Sequence, residues 1–382
     1  MSADIAVTAH YGPSAWFAER IKPTHKESLR EAVNAFDDET KRTVHVHYVA
    51  GQEPPQVEQK KSKRPSRLVA ESGDYASLNE HVITNFSWLA RALNPKELHL
   101  HNPPEQVKAQ LEKTFPDSFR VERYTYPTLT LENLRAFRDG FGDHLVGQAH
   151  VRDAMLRTMY PLTRTRGNKP VVVMFYGPSG VGKTETAKFI NGLLKGSLMR
   201  TQFSMFQNDS FASYLFGGRH SERSFAHELI DRDSGVILID EFDKAAGVFH
   251  SAFYELFDEG VFTDKIYRAD VGRALIICTS NYESEEEIRR ALGEALYSRF
   301  DAMIQFTHLS RDEAAAVVNR HIAQRLEKLE PDESDLVADV DFRGMLRSLA
   351  EHAGNIREVG KRVDAVISDV LVQRSLGDAQ SG

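Results

Sequence analysis

Cysteine is nearly absent from the 382-residue chain, where Cys278 stands alone. An intramolecular disulfide is therefore impossible, and a Cys-rich metal site is excluded. Cys278 lies in the apolar run Ala274-Leu275-Ile276-Ile277-Cys278, the setting of a buried structural thiol rather than a reactive one. No stretch approaches the roughly eighteen apolar residues of a membrane span, so no membrane partner is expected. The first residues, Met1-Ser2-Ala3-Asp4, lack the basic-then-apolar pattern of a signal peptide, and a cytoplasmic location is the expectation. Basic charge is not in excess: 48 Lys and Arg against 55 Asp and Glu leave a net charge of −7. That balance argues against a protein that coats nucleic acid, while a local basic patch stays open. With 41% hydrophobic and 27% charged residues the composition is that of an ordinary globular chain. Its length calls for two or three domains.

The most informative stretch begins with the buried-strand pattern Val171-Val172-Val173-Met174-Phe175-Tyr176. It continues as Gly177-Pro178-Ser179-Gly180-Val181-Gly182-Lys183-Thr184, after which Glu185 to Ile190 reads as a helix. The glycines allow torsions and a close approach that a Cβ forbids. Successive N–H groups and the helix N-terminus then surround a phosphate chain, so the stretch predicts a bound nucleoside triphosphate. In that arrangement Lys183 reaches the β/γ-phosphates and the Thr184 hydroxyl ligates Mg²⁺. A second apolar strand, Val236-Ile237-Leu238-Ile239, ends in Asp240-Glu241. Asp240, at a strand's C-terminal end, is placed to hold the Mg²⁺ shell, and Glu241 to polarise an attacking water as general base. A third strand, Ala274 to Cys278, ends in Thr279-Ser280-Asn281. The Asn281 amide either orients that water against the γ-phosphate or, taken alone, marks a turn.

Residues 1–126 alternate between strand-like and helical patterns, which predicts a small, mostly parallel sheet covered by helices. Strands are expected at Ile5–Ala9, Thr43–Val49, Glu97–His101 and Phe119–Tyr124, and helices at Lys26–Phe36, Tyr75–Leu93 and Glu105–Phe115. Residues 51–72 are rich in Pro, Gln, Lys and Arg and read as a surface loop. Their basic run, Lys60 to Arg67, either touches a phosphate backbone or is a solvated loop; no aromatic residue is interleaved for base stacking. His45 and His47, and His99 and His101, form i, i+2 pairs, which gives either a polar sheet face or, on adjacent strands, four imidazoles around a metal. His227-Glu228 is not a zinc-protease motif, because position 231 is Asp231. No catalytic constellation stands out in residues 1–126, which read as a sensor or adaptor-docking module.

Together the motifs over residues 142–370 resemble an AAA+ ATPase of the Clp/heat-shock unfoldase clade, in particular its second ATPase ring. Leu145-Val146-Gly147-Gln148 is similar to the segment whose backbone holds adenine, Gly177–Thr184 to Walker A, and Asp240-Glu241 to Walker B. Phe257 to Asp264 is similar to the helix end and hairpin before sensor 1, which Asn281 would supply. Ala295 to Asp301 is similar to the stretch carrying the arginine finger, giving that role to Arg299. Gly354-Asn355-Ile356-Arg357-Glu358-Val359 is similar to sensor 2, with Arg357 as the cis arginine and Ile356 beside the nucleotide. The bland reading of Arg299 is a surface arginine paired with Asp301. The resemblance implies ATP hydrolysis with ATP and Mg²⁺, a homo-oligomeric ring (usually a hexamer) and a protein substrate or partner. The implied α/β fold is a small N-terminal α/β domain (1–126), a P-loop parallel-sheet domain (127–306) and a helical lid (307–382). In that clade a Gly-rich pore loop with an aromatic–hydrophobic pair lies between the Walker motifs. Here the stretch Tyr214 to Phe225 is shorter, lacks that pair and carries Arg219, His220 and Arg223. Those charges either meet an acidic partner or nucleic acid, or line a solvated loop. The expected function is an ATP-driven ring remodelling a protein partner recruited by the N-terminal domain. The alternative is a nucleotide-dependent assembly switch or scaffold in a DNA-associated or defence complex.

Overall fold

Two blocks of alternating strands and helices seed two sheets, and the computed structural model describes residues 5–21, 26–44, 65–164, 167–205, 208–220, 222–346 and 356–377. Contacts divide the chain into two compact units. One comprises Met1–Pro127, Phe206–Asp233 and Gly260–Gly272; the other Thr128–Met205, Ser234–Glu259 and Arg273–Gly382. This differs from a division into the consecutive pieces 1–126, 127–306 and 307–382. Two excursions from the second block of sequence group with the N-terminal sheet, tied to it by hydrogen bonds and a cation–π contact.

The first unit is built on a parallel sheet of β1 (Ala6–Tyr11), β2 (Glu27–Ser28), β3 (Arg67–Ala70), β4 (Glu97–His101) and β5 (Phe119–Arg123), in the order β2-β3-β4-β1-β5. Helices α1 (Ser14–Arg20), α2 (Leu29–Val44), α3 (Ser72–Ser77), α4 (Glu80–Thr84), α5 (Phe86–Leu93) and α6 (Glu105–Thr114) accompany it. Val7, Leu68, Leu98 and Leu100 bury against Leu29, Tyr75, Phe86 and Leu111. Several expectations are corrected. The helix expected over Tyr75–Leu93 is three, because Leu78 is extended and Asn79 and Asn85 stand at their junctions, residues whose side chains compete for backbone hydrogen bonds. Residues 67–70, expected in a loop, form β3 between β2 and β4. Thr43 and Val44 end α2 rather than opening a strand. Residues 45–49, including His45 and His47, lie outside the described residues, as do Lys60 to Arg64 and Gly354-Asn355.

The second unit holds helices α7 (Leu131–His144), α8 (Ala149–Met159) and α9 (Lys183–Leu194), and strands β6 (Val171–Tyr176), β7 (Met199–Gln202) and β8 (Val236–Asp240). Between β7 and β8 the chain leaves to form α10 (Asn208–Phe216) and α11 (Phe225–Asp231) of the first unit. After α12 (Tyr254–Glu259) it leaves again for the antiparallel pair β9 (Val261–Thr263) and β10 (Arg268–Asp270). It returns for β11 (Leu275–Thr279), α13 (Glu285–Tyr297) and β12 (Ala302–Gln305), completing a parallel sheet ordered β12-β6-β11-β8-β7. Strands β6, β8 and β11 are buried throughout, as central strands of a parallel sheet require. Burial pushes the Cys278 thiol well above its ordinary pKa, in keeping with a structural role. The lid is helical: α14 (Arg311–Leu326), α15 (Pro331–Val337), α16 (Phe342–Met345) and a last helix, Ile356–Gly377. Ser310 and Glu313 form the expected capping box, and Val317, Ile322, Phe342, Val359, Val363 and Ile367 share the lid core.

The excursions are folded segments of the first unit, and the stretch Tyr214 to Phe225 is part of them. Phe225 meets Phe262 edge-on at 4.9 Å, and Lys265 N–H donates to Phe216 O at 3.1 Å. Glu105 N–H donates to Ile266 O at 2.9 Å. Asp231 accepts from the Ser14 N–H and Oγ at 3.0 and 2.9 Å. Arg232 is buried, lies 3.6 Å over the Tyr126 ring and donates to Val271 O at 2.9 Å.

Candidate functional site

The C-terminal ends of β6, β8 and β11 point the same way, and in an open parallel sheet the crevice beyond those ends is where ligands bind. β6 runs into the glycine loop. Gly177 and Gly182 have φ of +120° and +109°, and a Cβ would come within 2.1 Å of Phe306 O at the first and 2.4 Å of Leu145 Cδ1 at the second. Only glycine fits either place. The contact at Gly182 also sets Leu145, the expected adenine-side residue, directly against the loop, and Val146 packs on the lid core. The last helix also meets the loop, where Ile356 N–H donates to Gly180 O at 3.0 Å. The side chain of Arg357 lies outside the described residues.

Lys183 opens α9, and its ammonium donates to Gly177 O at 2.6 Å, Pro178 O at 2.8 Å and Asn281 Oδ1 at 3.2 Å. Lys183 and Asn281, read from the sequence as phosphate-binding lysine and sensor amide, therefore share one locus. Asp240 is buried at the end of β8. Its Oδ1 accepts the Thr279 hydroxyl, and its Oδ2 accepts Arg200 Nε at 3.1 Å and Nη2 at 2.5 Å. Glu241 follows with a left-handed φ of +56°. Its N–H donates to Thr279 Oγ1 at 3.0 Å, and its Oε2 accepts from Gln202 at 3.2 Å. Thr279, Arg200 and Gln202 thus hold the two acids, and all three escape a motif reading. Their only sequence signal is position: Thr279 ends one apolar strand, while Arg200 and Gln202 alternate on the edge strand β7.

The donor set suits Mg²⁺, which takes hard oxygen ligands. Thr184, the second residue of α9, supplies a hydroxyl. Asp240 has about four lone-pair sites, of which its three bonds leave one for the metal or its water.

Arg299 makes none of its recorded contacts with the phosphate-loop residues. Its Nε donates to Asp258 Oδ2 at 2.8 Å, its Nη1 to Ala295 O, and its Cζ lies 4.2 Å over the Tyr254 ring. Asp301, the partner of the bland reading, accepts the Val172 N–H at 2.7 Å instead.

In the other unit, the His99 and His101 pair meets His10 of β1. His10 Nε2 and His99 Nδ1 are 3.1 Å apart, and His101 donates to Gly12 O at 2.8 Å. Burial, then the neighbouring His99, His101 and Arg20, hold the His10 pKa down to about 3. Among the described residues no group of three or more His, Cys, Asp and Glu is arranged to hold a metal. No helix among them is long and apolar enough to cross a membrane.

Comparisons with known proteins agree with this geometry. Residues 168–329 match the family described as AAA domain (Cdc48 subfamily). The chain is 30% identical over 232 residues to the chaperone protein ClpB of Gloeobacter violaceus, covering 52% of this chain and 26% of that protein. It is 27% identical over 217 residues to the ATP-binding subunit ClpL of the Clp protease of Staphylococcus aureus, covering 50% and 30%. The chain therefore spans between a quarter and a third of the length of these relatives. A closed-state cryo-EM structure of Hsp104 with ATPγS and casein aligns with a TM-score of 0.54 at 16% identity, covering 97% of this chain and 88% of that one, a likeness of fold. Residues 168–329 thus match an AAA domain, and about half of the chain is similar to ATPases of the Clp/heat-shock type.

Proposed function

We propose that the chain is a Mg²⁺-dependent ATP hydrolase that works as a homo-oligomeric ring, a hexamer by analogy, and remodels a protein partner bound through its N-terminal sheet. The observation that carries this reading is the convergence of Lys183, Asn281, Asp240 and Glu241 at the ends of three adjacent strands. Lys183 neutralises charge on the β/γ-phosphates, and Thr184 and Asp240 hold the cation, which supplies further charge neutralisation when bound. Glu241 takes the proton of the attacking water while Asn281 fixes that water's position. Ile356 and Leu145–Val146 close around the base and the loop. Arg299, turned to Asp258 rather than to this site, completes the site of a second copy, where an arginine finger is worth about 10³–10⁵ in rate. Arg357 is the cis arginine of the lid.

The folding of residues 208–231 and 261–270 onto the N-terminal sheet favours a second reading. In it ATP sets the state of that sheet as an assembly switch, acting in a DNA-associated or defence complex, rather than driving a gripping loop along a polypeptide. One experiment separates the two. ATP-loaded Glu241→Gln chain is purified from cells and its captured material identified. Unfolded or client proteins bound within an ATP-dependent oligomer support remodelling. Salt-sensitive nucleic acid supports the switch. Absence of both, with no ATP-dependent oligomer, refutes the ring.

A further inference from the structure

The Arg299 guanidinium is held on three sides by its own chain. Tyr254, at the start of α12, offers its ring face at 4.2 Å, within cation–π range. Asp258, one turn later on the same helix, takes Nε at 2.8 Å. The Ala295 carbonyl takes one Nη1 proton. A guanidinium has five N–H donors in a planar fork, so these contacts use two and leave three, including both on Nη2, with no recorded protein partner among the described residues. The arginine is therefore oriented, and its outer edge is left to bind something else. The next residue is packed in an aromatic cluster: Phe300 meets Phe257 at 5.3 Å and Phe242 at 6.2 Å. Phe242 is buried and directly follows Glu241. One aromatic cluster thus links the residue after the water-activating acid to the residue after the finger.

We propose that Asp258 and Tyr254 are positioning residues for Arg299, fixing its fork to meet the γ-phosphate held by a second copy of this chain. This rests on the ring reading given above. A planar fork matches phosphate oxygens only in a fixed orientation, and misplacing a catalytic group by about 1 Å costs on the order of 10²-fold in rate. Removing the Asp258 charge or the Tyr254 ring face lets the guanidinium turn on its long stem without touching the hydrolysing site of the same chain.

The test uses mixed full-length chains. Lys183→Ala chains, which have a finger but no working site, are mixed with Arg299→Ala chains, which have a site but no finger. ATP turnover in the mixture above that of either variant alone reports the finger acting in trans. Adding Asp258→Asn to the Lys183→Ala donor is expected to lower that complemented kcat by roughly 10- to 100-fold, with KM for ATP unchanged. Tyr254→Leu in the donor is expected to do the same while keeping apolar bulk. As a control on folding, Asp258→Asn placed in the acceptor chain, which has no finger to position, is expected to leave the mixture's turnover unaltered. If the plain mixture shows no gain in turnover, the ring reading falls and this inference with it. If it gains but the donor variants match it, or if the acceptor variant loses as much as the donor variant, the positioning role alone is refuted.

Discussion

Thr279 is the sharpest place to perturb the site, because one buried hydroxyl serves both acids. It donates to Asp240 and accepts from the backbone of Glu241, and both Thr279 and Asp240 are buried. Thr279→Val keeps the shape and removes both bonds. A hydrogen bond to a charged group is worth about 1.5–3 kcal/mol, and a buried N–H left without a partner costs about 1–3 kcal/mol. Allowing for overlap and relaxation, the loss comes to about 2–4 kcal/mol. For a unit of this size each kcal/mol moves Tm by about 2–4 °C, so a drop of roughly 5–15 °C is expected. Function falls as well: Glu241 occupies left-handed torsions that cost about 1–3 kcal/mol and persist only where the surroundings hold them. If Glu241 activates water as proposed, loss of the Thr279 acceptor shifts its carboxylate, and kcat is expected to drop at least about tenfold. Thr279→Ser keeps the hydroxyl and loses one methyl, worth about 0.8 kcal/mol. Thermal melting and steady-state turnover of the two variants decide the matter. A valine variant that melts and turns over like the serine variant refutes the reasoning.

Three further outcomes follow from the geometry. Ile356→Pro removes the N–H that ties the lid to Gly180 O while respecting the first turn of its helix, where proline is tolerated; ADP release followed by stopped flow is expected to quicken about 2- to 10-fold. Arg200→Ala frees Asp240 Oδ2 from its cation, so the Mg²⁺ concentration for half-maximal turnover is expected to fall about 3- to 10-fold, and an unchanged value contradicts competition between Arg200 and the metal. His10, with its pKa held down to about 3, binds fewer protons folded than unfolded below pH 6.5, so its stabilisation is complete above that pH and is lost as pH falls toward 3. Between pH 6.5 and 5 that loss is about 2 kcal/mol, and the pH dependence of chemical denaturation is expected to flatten in His10→Gln.

The phosphate loop was legible because its chemistry is local: strand, glycines, Lys183-Thr184 and helix are contiguous, and backbone torsions alone require that order. The same holds for Asp240-Glu241 and Asn281, each the end of one apolar strand. Other features depend on distant parts of the chain. β3 is four residues long and follows a basic run, so its burial between β2 and β4 leaves almost no periodic trace. Arg200 reads as an ordinary strand residue until β7 pairs with β8 and brings it to Asp240. Asp258 reads as a helix-end acid until Arg299 arrives from forty-one residues away. The union of residues 206–233 and 260–272 with the N-terminal sheet rests on ties such as Glu105 to Ile266 and Ser14 to Asp231, which no consecutive division of the sequence contains. The histidines show the same limit. The i, i+2 pair on β4 was visible, but its actual neighbour is His10 on β1.

The central claim is that Glu241 activates water for ATP held by the Gly177–Thr184 loop. Its most direct test is single-turnover hydrolysis of pre-bound Mg·ATP by Glu241→Gln, with nucleotide binding measured on the same sample. The account predicts ATP bound as in the parent chain and cleavage slowed at least about 10²-fold. Cleavage at the parent rate contradicts it.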